Sequence, residues 1–200
     1  MAGTYEEFEA GLSEVQRSPK DVGRLELIVR RPAVNEREIL DAGTLDPEVG
    51  LVGDTWRIRG SRLTADGTAH PDTQLNVMNA RAAALVAGPK TRWSLAGDQL
   101  YVDFDLSGDN APAGTRLAIG SAMIEITSEP HRGCAKFAAR FGREALRFVN
   151  SPIGEALNLR GVNARVVQPG IIRNGDTVSK VATDAADGTD ATDASVAPPG

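Results

Sequence analysis

Residues 129–137 have the sequence Glu129-Pro130-His131-Arg132-Gly133-Cys134-Ala135-Lys136-Phe137, which contains the only cysteine of the chain and one of its two histidines. The apolar pattern of residues 118–127 predicts a strand before this stretch, and residues 135–149 predict a helix after it. We therefore expect Cys134 at a turn that leads into a helix N-terminus, where unpaired N–H groups and the helix dipole favour an anion. Two flanking cations favour a thiolate, the reactive and metal-binding form of cysteine. The alternative is a small, buried, structural cysteine.

Short strands dominate the pattern on both sides of this stretch. About six to eight strands are predicted, including residues 22–30, 100–106 and a hairpin over 115–127 that turns at Gly120-Ser121. They do not alternate with helices in the way that builds a parallel sheet. The predicted fold class is therefore mainly β, a β-barrel-like arrangement of mixed or antiparallel strands with several short helices packed outside.

Several local patterns give more specific expectations. In residues 22–30, Leu25, Leu27 and Val29 alternate with polar residues, which predicts a strand with one wet face. Residues 36–40 suggest a short helical turn. Asn174-Gly175 is a strong hairpin signal between two short apolar runs.

The chain divides into three predicted parts. Residues 1–21 form an N-terminal helical extension, in which Thr4 is the N-cap and Glu7 its capping-box partner. Residues 22–180 form the barrel domain. Residues 181–200 carry four aspartates, no Lys or Arg and no large apolar side chain, which predicts a disordered acidic tail.

Composition and charge narrow the classes of function. The net charge of −5 comes largely from the tail, and no basic stripe with interleaved aromatics suggests a nucleic-acid partner. No apolar run reaches the roughly 18 residues of a membrane span. A single cysteine excludes an intrachain disulfide. The acidic N-terminus argues against a signal peptide, so we expect a cytoplasmic protein without a membrane partner.

Most familiar catalytic motifs are missing from the sequence. One cysteine and two histidines cannot form a closed zinc site of Cys and His alone. Neither a phosphate-binding loop nor a Gly-x-Ser-x-Gly elbow occurs. His70 or His131 would serve as the base of a Cys–His pair only if it lay beside the thiol, and the alternative is that each histidine is structural.

Five short motifs occur in order along the chain. They are Gly50-Leu51-Val52-Gly53-Asp54, Gly108-Asp109-Asn110, residues 114–120 leading into 124–127, residues 130–137, and residues 169–176. Together they resemble the MOSC domain family, named for the C-terminal domain of molybdenum-cofactor sulfurases, over roughly residues 22–180. Cys134 falls on the single cysteine of the family's motif. The chain is similar to a stand-alone bacterial-type member.

This resemblance implies a barrel-like fold that handles the molybdenum cofactor (molybdopterin) or sulfur. Cys134 is then expected to be both the catalytic residue and the metal ligand. The residues expected to bind the cofactor are His131, Arg132, Lys136, Asp72 and Asn110. The chain departs from the family's reductases at residues 96–99. Those proteins carry an arginine in this stretch, whereas this chain has Ala-Gly-Asp-Gln.

The resemblance leaves two functions open. The first is a molybdenum-dependent oxidoreductase that reduces N-hydroxylated compounds with electrons from an external donor protein, because nothing in the sequence resembles a flavin or nicotinamide site. The alternative is a non-catalytic carrier in which Cys134 accepts sulfur as a persulfide, or which exchanges the cofactor with a delivery protein.

Overall fold

The computed structural model describes residues 3–182, in which apolar alternation produces short strands that close on themselves. The strands are β1 (Val22–Arg30), β2 (Glu38–Leu40), β3 (Ala42–Asp46), β4 (Gly50–Leu51), β5 (Leu75–Asn79), β6 (Leu100–Asp103), β7 (Arg116–Ile119), β8 (Ala122–Ile126), β9 (Val162–Gln168), β10 (Gly170–Arg173) and β11 (Thr177–Val181). The helices are α1 (Tyr5–Gln16), α2 (Trp56–Arg59), α3 (Ala80–Ala87), α4 (Ala135–Phe141), α5 (Arg143–Val149) and α6 (Pro152–Ala156), with 3-10 helices at Pro71–Thr73 and Lys90–Ala96.

Seven of the strands in this part of the chain form a closed barrel. Their order is β11-β7-β8-β9-β5-β6-β1, and β1 pairs back onto β11. The β5–β6 pair is parallel and the other barrel pairs are antiparallel. β2 extends the sheet beside β1, and β10, β3 and β4 form a second, three-stranded sheet. The predicted fold class, a mainly β, barrel-like mixed fold with short helices outside, is confirmed.

Two apolar cores lie on the two sides of the barrel wall. The inner core includes the fully buried side chains Leu25, Ile28, Leu100, Phe104, Leu117 and Ile124. The outer core lies between the wall and the helices, and includes Phe8, Leu27, Val29, Met78, Phe137 and Phe148. Each large apolar side chain that is fully buried contributes roughly 1.5–3 kcal/mol. The barrel and its helical cover are therefore held together by the same strands.

A β-bulge in β1 explains why the prediction of one wet strand face is wrong. The register against β6 shifts between Leu25 and Leu27, and one extra residue sends the following side chains to the opposite faces. Leu25 and Ile28 enter the inner core, whereas Leu27 and Val29 enter the outer core. β1 is therefore covered on both faces beyond the bulge.

Three further expectations are corrected by longer-range structure. Residues 38–40 form the strand β2 rather than a helical turn. The helix predicted over residues 135–149 is divided into α4 and α5 by Gly142, whose φ of 96° interrupts the helical path. Asn174-Gly175 does form a turn, but β10 pairs with β3 and β11 pairs with β1 and β7, so the two strands form no hairpin.

The hairpin of β7 and β8 and the N-terminal helix form as predicted. β7 and β8 pair across the turn at Gly120-Ser121. Thr4 caps α1 and makes a complete capping box with Glu7, and Phe8 stacks on Phe148 with ring centroids 5.4 Å apart. No helix among residues 3–182 has the length and apolar character needed to cross a bilayer. The predicted acidic tail lies outside the described residues from position 183 onward.

Candidate functional site

Cys134 occupies the N-cap position of α4, as the sequence predicts. Its backbone is extended, with φ −127° and ψ 178°, and its side chain makes no capping hydrogen bond. The thiol is exposed, so the alternative of a buried structural cysteine is wrong. Lys136, in the first turn of α4, is also exposed. The thiol is therefore accessible to a metal or to another molecule.

The segment that leads to Cys134 has no regular secondary structure and is held by side chains. Asn163 Nδ2 donates to the Glu129 carbonyl oxygen at 3.0 Å. The Gly133 N–H donates to Asn150 Oδ1 at 2.8 Å, and Asn150 Nδ2 donates to the Gly133 carbonyl oxygen at 3.1 Å. Two asparagine side chains thus take the place of a neighbouring strand.

His131 is nearly enclosed within this segment. Its side chain is 14% exposed, and its Nδ1 atom lies 3.5 Å from Asp98 Oδ1 without forming a hydrogen bond. Burial lowers the pKa of His131 well below its usual value, and the charges of Arg160 and Arg31 lower it further. The imidazole is consequently neutral at physiological pH.

Asp98 is held by an arginine from a distant part of the chain. Arg160 Nη1 donates to both carboxylate oxygens at 2.8 and 2.7 Å, and Arg160 Nη2 donates to the Ala96 carbonyl oxygen at 2.9 Å. The guanidinium also lies over the Phe137 ring, 5.1 Å from its centroid. Burial raises the pKa of Asp98, and the Arg160 charge opposes that rise. Residues 96–99 therefore contact an arginine although they contain none.

A second arginine, at the position directly after β1, reaches the same stretch. Arg31, which is 5% exposed, donates from Nε and Nη2 to the two oxygens of Asp54, each at 2.8 Å. Its Nη1 atom donates to Asn76 Oδ1 at 3.0 Å and to the Gly97 carbonyl oxygen at 3.1 Å. Asp54 also accepts from the Trp56 N–H at 2.9 Å, so its carboxylate binds both Arg31 and the backbone two residues further along the chain.

Three further arginines, two near Gly97 and one near Arg31, have no carboxylate partner among residues 3–182. Arg37, Arg59 and Arg140 form no ion pair within residues 3–182. Burial lowers the pKa of Arg37, and the neighbouring charges of Arg140 and Arg31 lower it further. A Cβ atom on Gly97 would lie 3.5 Å from Arg37 Nη2 and 3.8 Å from Arg140 Nη1. Positive charge therefore accumulates here, and an anion would relieve it.

A cavity of about 440 Å³ adjoins the His131 segment. His131, Arg132 and Arg160 contribute to its lining, together with apolar side chains such as Val149. Arg132 is largely exposed and forms an ion pair with Glu155, which also lines the cavity. The space suits a small molecule with both apolar and polar groups.

Two residues predicted for cofactor binding lie in other clefts. Asp72 forms an ion pair with Arg165 at 3.3 Å in a cleft on the barrel wall. Asn110 donates to the Asp105 carbonyl oxygen at 2.8 Å and accepts from Lys180 Nζ at 2.8 Å. The structure brings His131 and Arg132 to one cavity but does not bring Asp72 or Asn110 to it.

The sequence interpretation missed the arginines that surround Gly97. Arg31 follows an apolar strand, and Arg160 lies between Leu159 and Gly161. Arg160 is a lone cation between apolar residues, whereas Arg31 directly follows Arg30. Cations are rarely buried unless paired, so the setting of Arg160 could have marked it as a paired, buried residue. Neither setting could have identified Asp54 and Asp98 as the partners.

Comparison with known proteins defines the class of protein. The sequence profile of the MOSC domain matches residues 72–179, more than half of the chain. The chain therefore belongs to the MOSC domain family, and this membership supports a function related to the molybdenum cofactor.

Solved structures share the fold at low sequence identity. The YuaD protein from Bacillus subtilis has a TM-score of 0.56 and 18% identity, with 78% of this chain and 94% of that chain covered. YiiM from Escherichia coli has a TM-score of 0.52 and 20% identity, with coverages of 80% and 70%. A hypothetical protein has a TM-score of 0.53 and 22% identity, with coverages of 80% and 69%. Among curated protein sequences, none matches the chain.

Proposed function

We propose that this protein binds the molybdenum cofactor, with Cys134 as the molybdenum ligand, and reduces N-hydroxylated compounds. The observation that carries the proposal is an exposed thiol at the start of α4, the helix that also carries one of the arginines without carboxylate partners. α4 joins the two, because Cys134 precedes its first residue and Arg140 lies in its last turn. A helix of this length spans about 10 Å.

The residues in the described part of the chain fit such a cofactor. A molybdopterin carries an anionic phosphate, which arginine guanidinium groups recognise well. Arg37, Arg59 and Arg140 offer charge that no carboxylate neutralises among residues 3–182. Arg37 Nε and Trp56 Nε1 are buried N–H donors without a partner. The soft thiolate of Cys134 supplies a ligand suited to a transition metal.

When bound, the cofactor supplies two-electron chemistry at a metal centre. The overall change is R–NHOH + 2e⁻ + 2H⁺ → R–NH₂ + H₂O, with electrons from a separate donor protein. Within the chain, Cys134 would hold the metal and the unpaired arginines would hold the phosphate. His131 would keep a neutral ring close to Asp98, and a neutral imidazole has one nitrogen that can accept a proton. The cavity that His131 and Arg132 line would receive the substrate; Cys134 lies two residues beyond Arg132 and does not itself line it.

The alternative function is a sulfur carrier in which Cys134 accepts a persulfide. The exposure of the thiol at a helix start favours this role as well, because a carrier must present its sulfur to a second protein. The two functions differ in the role of the arginines, since a persulfide carrier does not require a phosphate site.

The test is the molybdenum and pterin content of protein made in a host with intact cofactor synthesis. Near-stoichiometric metal and pterin are expected in the wild type. Cys134→Ala should lose the metal, and Cys134→Ser, which keeps the size of the side chain, should retain much less than the wild type. Reduction of a hydroxylamine by the loaded protein with a chemical reductant would then support the oxidoreductase. Absence of metal and pterin, with a persulfide found on Cys134, would favour the carrier.

A further inference from the structure

We infer that Asn150 is the positioning residue of Cys134, because its side-chain amide fixes the backbone immediately before the cysteine. The amide makes a matched pair of hydrogen bonds with Gly133, accepting from its N–H at 2.8 Å and donating to its carbonyl oxygen at 3.1 Å. The backbone N–H and carbonyl oxygen of Gly133 are thus both hydrogen-bonded by the Asn150 side chain.

The segment before Cys134 has few other restraints. Residues 129–133 make no backbone-to-backbone hydrogen bonds in the described part of the chain. Their remaining ties are the bond from Asn163 to Glu129, the approach of His131 to Asp98 and the ion pair between Arg132 and Glu155. The Arg132 pair is exposed and contributes little. Asn150 is therefore the restraint nearest to Cys134 in sequence.

Asn150 stands on a rigid support. It is the C-cap of α5, where its own N–H donates to the Leu146 carbonyl oxygen at 3.2 Å. Phe148 of the same helix is fully buried in the outer core. A Cβ atom on Gly133 would lie 2.7 Å from Leu146 Cδ1 and 3.1 Å from Val149 Cγ2, so the segment lies directly against α5. A larger residue at position 133 would require the side chains of Leu146 and Val149 to shift.

We call the two hydrogen bonds between the Asn150 side chain and Gly133 the clamp. It requires an amide, which provides an acceptor and a donor on one planar group. An aspartate of the same shape accepts from the Gly133 N–H but cannot donate to the Gly133 carbonyl oxygen. Two oxygens would then face each other, and the segment would separate from α5. Asn150→Asp is therefore a nearly isosteric way to open the clamp, and Asn150→Ala removes both bonds.

The first test is limited trypsin digestion of the native protein, because the Arg132–Gly133 bond is itself a tryptic site within the clamp. Cleavage there should be roughly tenfold faster in Asn150→Asp and Asn150→Ala, the factor expected when hydrogen bonds of this kind are lost. The fragment that begins at Gly133 identifies the event by mass. Cleavage after Arg62, in an exposed loop, is the internal reference and should not change.

Asn174→Asp provides the matched control for this digestion. Asn174 also donates from Nδ2 to a carbonyl oxygen, that of Leu40 at 2.8 Å, but lies in the turn before β11. Its variant should leave cleavage after Arg132 at the wild-type rate. Equal Arg132 cleavage rates in the wild type, both Asn150 variants and the control would overturn the inference, whatever the function of the protein.

The second test measures molybdenum content, and its interpretation rests on the proposed function. Asn150→Asp should retain at most a few tenths of the wild-type metal while its thermal midpoint stays close to that of Asn174→Asp. Faster cleavage with full metal content would refute the positioning of the ligand. If the wild type itself holds no metal, the proposed function fails, and digestion alone decides whether Asn150 fixes this segment.

Discussion

The arginines around Gly97 fall into two groups that differ in what neutralises them. Arg31 and Arg160 each bind a fully buried carboxylate through two short hydrogen bonds. Arg37 and Arg140 approach the same glycine but form no ion pair in the described part of the chain. In a buried pair the carboxylate neutralises the guanidinium. An arginine without a carboxylate partner keeps a positive charge that an anionic ligand can neutralise. Arg31 and Arg160 therefore stabilise the site, whereas Arg37 and Arg140 are available to bind an anionic ligand.

The largest expected effect comes from breaking one of the buried pairs. Arg160→Met leaves the Asp98 carboxylate buried without its partner, so the free energy of unfolding should fall by about 3–5 kcal/mol. Urea unfolding followed by circular dichroism measures this loss. Arg37→Met is the matched control, because it removes an arginine near the same glycine without orphaning a carboxylate. Equal losses of unfolding free energy in the two variants would contradict the distinction between arginines with and without a buried carboxylate partner.

The converse experiment removes the unpaired charges. The double variant Arg37→Met with Arg140→Met should keep a near wild-type unfolding free energy but bind the pterin phosphate at least about tenfold more weakly, since charge-assisted bonds each contribute about 1.5–3 kcal/mol. Pterin content after dialysis gives the measurement. Full retention of pterin would show that these arginines do not hold the cofactor.

The pH dependence of stability tests the environment of His131. Its folded-state pKa is depressed by burial and by two arginines, so its neutral form is favoured in the folded protein and its stabilising effect is complete above the ordinary pKa of about 6.5. As the pH falls below that value, the unfolded chain binds the proton first and stability decreases. The decrease between about pH 6.5 and 5 should be shallower in His131→Gln than in the wild type. An identical slope in His131→Gln and the wild type would contradict the assignment.

The smallest effect is expected at a partly exposed ion pair outside this site. Arg81 donates to both oxygens of Asp103 at 2.7 and 3.1 Å, and each side chain is 30% exposed. Arg81→Met should cost no more than about 1 kcal/mol, because water screens such pairs and solvates the remaining carboxylate. The same urea titration compares it with Arg160→Met. If Arg81→Met lost as much unfolding free energy as Arg160→Met, burial would not explain how much each ion pair contributes to stability.

Local patterns predicted much of the barrel. The alternation in β7 and β8 and the capping residues of α1 act within a few positions, so they can be read from the sequence. The bulge in β1 could not be read in this way, because it depends on pairing with β6, which lies some 75 residues further along the chain. Gly142 offered a local signal, since a glycine inside a helical pattern often marks a break.

The candidate site was only partly predictable for the same reason. Cys134 and its place at a helix start follow from adjacent residues. The pairing of Arg31 with Asp54 joins positions 23 residues apart, and that of Arg160 with Asp98 joins positions 62 apart. Such pairs are set by the tertiary fold, and no local pattern specifies them.

Ligation of molybdenum by the Cys134 thiolate is the central claim, and X-ray absorption at the molybdenum edge tests it most directly. The measurement compares cofactor-loaded wild type with whatever loaded fraction Cys134→Ser retains. We expect one more sulfur neighbour of molybdenum in the wild type than in Cys134→Ser, where an oxygen neighbour replaces it. The same number of sulfur neighbours in both proteins would contradict the assignment of Cys134 as the metal ligand.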